Sequence, residues 1–207
     1  MILQDVKPTR MELNNIRIKI AFSERGHKLL EMKRDGLMLE FFKIFSKARD
    51  IRTQLVEDYK RAEEQLKIVK CIDGENAINS AAFATAQDPK INLSSKNVMG
   101  VVVPTTIESS KVKRRTDQRG YGVVGVSTRI NEAADAYEQL IEDIIVAAEL
   151  ETALKRLIDE IQTTKRKANA LKFKIIPELK ETEAFIRLRL EEMEKENIFR
   201  LRKIKKS

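Results

Sequence analysis

Apolar residues recur along the first third of the chain at helical spacing. They fall at Leu37, Phe41, Ile44, Ala48, Ile51, Leu55, Tyr59, Ala62, Leu66 and Val69. Three- and four-residue gaps alternate, which is a heptad seam, with one four-residue stutter between Leu55 and Tyr59 that locally relaxes left-handed supercoiling. Leu13, Ile16 and Ile20 begin a similar seam upstream. Thr9-Arg10-Met11-Glu12 reads as a capping box: Thr9 accepts from an early helical N–H and Glu12 reaches back. No proline interrupts residues 9–88. A helix over residues 10–70 is about 90 Å long at 1.5 Å per residue.

A second helical block opens after Ser127 or Thr128, either a suitable N-cap. Ile130, Ala134, Tyr137, Ile141, Ile144 and Ala148 carry its first seam. Leu150, Leu154, Leu157 and Ile161 continue after a register shift, and Ala168, Leu171, Ile175, Leu179, Ile186, Leu190 and Met193 reach the end. Pro177 lies inside this block and removes one helical hydrogen bond, so a local kink is expected there. Two long helices with narrow apolar faces bury them most economically as an antiparallel pair.

The intervening residues 71–127 change character. Asp73-Gly74 ends the first helix, and the Ala-rich Glu75–Ala86 predicts a short helix closed by Asp88-Pro89. The β-branched run Val98–Ile107 predicts one strand, and Tyr121, Val123, Val124 and Val126 a second, joined by the polar, basic Ser109–Arg119. The expected fold is mostly α: a long antiparallel two-helix coiled coil with a short helix and a β-hairpin between its arms. Three regions follow: 1–70, 71–127 and 128–207.

Composition supports long, thin helices over a thick core. Charged residues are 35% and aromatics 5%, with 42% hydrophobic. One cysteine, Cys71, excludes an intrachain disulfide, and one histidine, His27, excludes multi-histidine metal sites. The start shows no secretory apolar region, and the longest apolar runs are far short of a membrane span. A soluble chain is expected. Its net charge of +8 favours acidic partners.

Gly120-Tyr121-Gly122-Val123-Val124-Gly125 matches G-x-G-x-x-G, but a basic polar loop precedes it and its glycines alternate with strand formers, so a flexible or closely packed strand is the better reading. No phosphate-binding loop of the G-x-x-x-x-G-K-[ST] type is present. His27 has no recognisable nucleophile partner, Cys71 reads as a small apolar residue, and the abundant Asp and Glu read as solvated flanking charges. No catalytic residue, cofactor or metal is expected. Lys111, Lys113, Arg114, Arg115 and Arg119 form a basic loop, and Arg200, Arg202, Lys203, Lys205 and Lys206 a basic tail. Without stacking aromatics or a groove-reading module, these read as solvated charge or contacts to acidic protein rather than nucleic-acid binders. Gly26 and Gly36 each cost about 1 kcal/mol relative to Ala in a helix interior. Either another backbone approaches them closely or a well-packed rod tolerates them.

Pro8-Thr9-Arg10-Met11-Glu12-Leu13, then Arg25-Gly26-His27-Lys28-Leu29-Leu30 with Lys33-Arg34-Asp35, and later Arg166, Asn169-Ala170-Leu171 and Ile176-Pro177, carry a family resemblance. In order and spacing, over almost the whole chain, they resemble the D subunit of archaeal A-type and V-type ATPases. The resemblance implies a non-catalytic central-stalk rotor that couples ATP synthesis or hydrolysis in a hexamer to ion translocation in a membrane ring. It implies as partners the catalytic and nucleotide-binding subunits, the F subunit and a funnel-shaped subunit above the ring, with the complex on the cytoplasmic side of the membrane. Arg25, Gly26, His27, Lys33, Arg34, Asp35, Arg166, Asn169, Arg200, Arg202 and Lys203 are then the candidate partner-binding residues. A coiled-coil tether without a motor role is the alternative that heptads alone leave open.

Overall fold

The computed structural model describes residues 7–85, 91–106, 112–121 and 126–206. Helix α1 spans Arg10–Ile72, α2 Glu75–Ala84 and α3 Thr128–Ala170. A π-helical turn, Leu171–Ile175, leads into α4, Ile176–Lys206. Strands β1, Leu93–Val98, and β2, Val101–Thr106, form a two-stranded antiparallel sheet. The long terminal helices, the short helix and the presence of a hairpin between them are as the sequence predicts.

The chain divides into two compact units. The first comprises Met1–Leu37 and Glu160–Ser207. Its core is Ile16, Ile20 and Ile186, with Leu13, Leu179, Phe185 and Leu190 against them. Ion pairs Arg10–Glu194, Arg17–Glu183 and Glu24–Lys180, at 2.5, 2.9 and 2.8 Å, advance along α1 as they retreat along α4, which fixes the antiparallel sense. Thr9 Oγ1 accepts from the Glu12 N–H at 3.1 Å, so half of the capping box forms. The other half does not: Thr9 N–H donates to Lys7 O, and the Glu12 carboxylate accepts from Asn15.

The irregularity at Pro177 is the π turn. Ile176 N–H donates to Leu171 O, five residues back. A five-residue step spares the carbonyl that an α-helical proline ring would strike.

The second unit is Met38–Asp159. Val69, Ala81, Tyr121, Ile130 and Ala133 form its core, with Ala77, Ile78, Ala84 and Val126 alongside. Four expected seam positions move. At the stutter Tyr59 is turned out and Asp58 in, its side chain 16% exposed. On α3, Ile141, Ile144 and Ala148 are exposed, while Leu140, Ala153 and Leu157 are buried. Cys71 is exposed rather than packed.

The hairpin differs from its expected pairing. The valine-rich strand is β2, but its partner is the polar β1, in register Val98↔Val101 to Leu93↔Thr106. Met99 and Gly100, both at positive φ, make the two-residue turn, and Gly100 N–H donates to Asn97 Oδ1 at 2.8 Å. That backbone twist matches the twist of the flanking strands, so the local turn wins over a long connection. Tyr121 and Val126 are not in a strand, and Val123 and Val124 lie outside the described residues.

Candidate functional site

The candidate residues fall at three places. In the first unit, α1 carries Arg25 to Asp35. Arg25 is exposed. Gly26 has open space around it: a Cβ added there meets no atom within 4 Å. His27 is 15% exposed, with Nδ1 3.5 Å from Glu31 Oε2 one turn on. Lys33 Nζ donates to Glu160 Oε1 at 2.6 Å. This hydrogen bond, outweighing burial and aided by the charges of Lys33 and Lys167, lowers the Glu160 pKa. Arg34 is turned to its neighbour Asp35 through Nε and Nη2, at 2.9 and 2.7 Å.

Arg166 and Asn169 lie exposed on the last turns of α3, and the π turn that follows exposes Lys172, Phe173 and Lys174. Lys33 is tied to α3 through Glu160, upstream of Arg166 and Asn169. The third group, the tail, is exposed along α4: Arg200 lies 3.7 Å from Glu196, and Arg202 and Lys203 face solvent. Among the described residues, no cluster of three His, Cys, Asp or Glu is placed to hold a metal, and no helix is long and apolar enough to cross a membrane.

In the second unit lies a constellation that the charge pattern does not announce. Arg119, expected in a solvated basic loop, is 2% exposed. Its Nε and Nη2 donate to both oxygens of Glu138, at 3.0 and 2.8 Å. Nη2 also donates to Asp135 Oδ1, and Nη1 to Asn131 O at 3.2 Å. Tyr121 OH donates to Asn131 Oδ1 at 2.8 Å. Burial opposes the Arg119 charge, but the hydrogen bonds it donates to Glu138, then Asp135, then Tyr121 outweigh it and hold the pKa above its ordinary value. Such bidentate, charge-assisted contacts are the strong class of hydrogen bond.

The same face of α3 receives backbone groups. Glu138 Oε2 accepts from the Arg114 N–H, Glu142 Oε1 from those of Val112 and Lys113, and Glu149 Oε2 from Thr106 N–H and Oγ1. Arg156 Nη1 donates to Val102 O at 2.6 Å. These carboxylates are anchors, not solvated flanking charges. Asn131, Asp135, Glu138, Glu142 and Glu149 keep heptad spacing one residue after the expected apolar seam. That offset polar stripe is the signal that would have found them. Lys111, and positions 122–125 of the glycine motif, lie outside the described residues.

Over residues 12–206 the chain matches the family model for the D subunit of ATP synthase. It is 54% identical over 205 residues to the A-type ATP synthase D subunit of Methanoregula boonei, covering 99% of this chain and 98% of that protein. It is 56% identical over 204 residues to the protein of the same name from Methanococcoides burtonii, at 99% and 98% coverage. With that of Haloquadratum walsbyi it shares 54% over 202 residues, 98% of this chain and 87% of the relative.

Proposed function

The chain belongs to the ATP synthase D-subunit family, and from that premise we propose that it is the complex's central-stalk rotor, a peripheral component with no catalytic residue of its own. In this reading residues 1–70 and 128–207 are the stalk helices and 71–127 the head. The catalytic and nucleotide-binding subunits surround the terminal helices, the F subunit binds the side of the stalk, and a funnel-shaped subunit joins it to the membrane ring. Rotation of the stalk then links ATP turnover to ion translocation.

The observation that carries this reading is α1, which runs 63 residues from Arg10 to Ile72 without a break. A continuous helix transmits torque through backbone hydrogen bonds at every turn, where a loop would absorb it. The exposed basic residues Arg200, Arg202 and Lys203 suit a moving contact. Charge attracts acidic loops over distances near the Debye length without the close fit that would lock one orientation.

A cross-link tests it. With Cys71→Ser removing the native thiol, Lys203→Cys is oxidised to a cysteine placed on one catalytic subunit. ATP hydrolysis is expected to fall at least tenfold on oxidation and to return with reductant. Undiminished hydrolysis by the fully cross-linked complex removes the rotor reading.

A further inference from the structure

Gly26 lies in the interior of a 63-residue helix, where glycine is disfavoured relative to alanine. Nothing among the described residues accounts for it. Its φ is not positive, and an added Cβ meets no atom within 4 Å. Its neighbours one turn away on the helix surface are Phe22 and Leu29, at i−4 and i+3. Both face solvent, Phe22 at 78% exposure and Leu29 at 64%, and Met32 is exposed beside them. The result is a notch without a side chain, flanked by large apolar groups.

On balance the charge around the notch is basic. Arg25 and Lys28 are exposed, Glu24 is paired with Lys180, and Glu31 is the one acid beside them without a Lys or Arg partner in the described ion pairs. A second copy of this chain would bring the same basic rim and the same net charge of +8 against it. The fitting occupant is an apolar stretch with Asp or Glu beside it, held close enough for its backbone to use the space a Cβ would fill.

We propose that the Phe22–Gly26–Leu29 notch is a docking site for an acidic-flanked apolar segment of another component of the ATP synthase, whose backbone passes over Gly26. This rests on the reading of the chain as the stalk and names the chemistry of one of its contacts. Glycine is kept for the complex at the expense of the isolated helix.

Gly26→Ala and Gly26→Leu separate those two demands. Each variant, fluorescently labelled, is titrated onto the remaining soluble-sector subunits from the same source, assembled without this chain. The isolated Gly26→Ala chain is expected to melt a few degrees higher than the natural one, as an alanine in a helix interior should. Its affinity for the assembly is expected to fall about tenfold and that of Gly26→Leu further. Phe22→Ala should weaken binding, and Arg25→Glu should weaken it most at low salt. Natural affinity in both Gly26 variants overturns the notch while leaving the stalk reading intact. If the natural chain does not join the assembly, the stalk reading itself fails. A natural-chain homodimer that Gly26→Leu dissociates overturns the choice of partner.

Discussion

Arg119 shows how much one side chain can organise. Its guanidinium, buried against Glu138 and Asp135, closes the segment that ends in Tyr121 onto α3. Removing it strands Glu138 without its fork, and breaking a buried pair from one side costs about 3 kcal/mol. Arg119→Ala is therefore expected to lower the stability of the second unit by about that amount. Amide hydrogen exchange should quicken at Val112, Lys113 and Arg114, while Ile16 and Ile20, in the other unit, stay protected. Uniform exchange across both units would contradict it. The basic run around Arg119 reads as surface charge because sequence shows the charge and not its partners. Asp135 and Glu138 lie 16 and 19 residues away, and only the fold brings them together. By contrast, the positions of Lys33 and His27 on a continuous helix were legible, since a periodic pattern fixes them directly.

Asp143 supplies a second residue-scale prediction. Burial, then the charges of Asp58 and Glu142, then a hydrogen bond with Asp58, raise its pKa above the ordinary 3.8. Arg61, 3.4 Å from Asp58, is the nearby cation. The Oδ2 atom of Asp143 is buried and finds no hydrogen-bond partner among the described residues. The folded chain thus keeps this proton to higher pH than the unfolded chain does. Where the folded state binds more protons, stability falls as pH rises. The loss begins near the unfolded value of 3.8 and is complete once pH passes the raised folded value. Asp143→Asn, which carries a permanent donor for Asp58, should stabilise the protein by about 1 kcal/mol at pH 7. It should also flatten this part of the pH profile in urea titrations between about pH 4 and 7. An unchanged slope would mean that Asp143 titrates normally.

Among the elements, the π turn resolves a phase problem that the sequence contained. From Leu150 to Ile175 the apolar positions keep a heptad, and so do Leu179, Ile186, Leu190 and Met193, but the second set comes one residue late. A continuous α-helix would rotate Ile186 about 100° away from Ile16 and Ile20. The five-residue step at Leu171–Ile175 absorbs the extra residue, and it also relieves Pro177. The two causes separate in a cycle. Pro177→Ala alone should change stability little, because the seam still requires the extra residue. Deleting Lys172 alone restores α phase but places proline in a helix interior, at about 3 kcal/mol. The deletion combined with Pro177→Ala should recover near-natural stability. Thermal unfolding of the four proteins measures the coupling; simple additivity would show that proline and phase are unrelated. The hairpin illustrates the opposite limit. Val101 to Val103 announce β2, but Ser94, Ser95, Lys96 and Asn97 lack the side chains that favour strands, so β1 was not legible from propensity. The Met99-Gly100 turn selected it.

At the scale of the molecule, two helices matter most because they run through the boundary between the compact units. α1 crosses it at Leu37 and Met38, and α3 at Asp159 and Glu160. Each unit has its own buried cluster. The proposed rotor role makes a further demand, that twist applied to one unit reach the other. Met38→Pro tests that demand apart from folding. Proline in a helix interior removes one backbone bond and clashes with the carbonyl four residues back, costing about 3 kcal/mol. The damage is confined to a turn or so of α1, and most helical signal in circular dichroism should remain. In the assembled complex, ATP hydrolysis should continue while ion-driven ATP synthesis falls several-fold, because the broken turn yields under load. Met38→Ala at the same position controls for loss of the side chain and should leave both activities near natural levels. If Met38→Pro supports synthesis at the natural rate, twist does not travel through α1, and the continuity of that helix serves assembly rather than coupling.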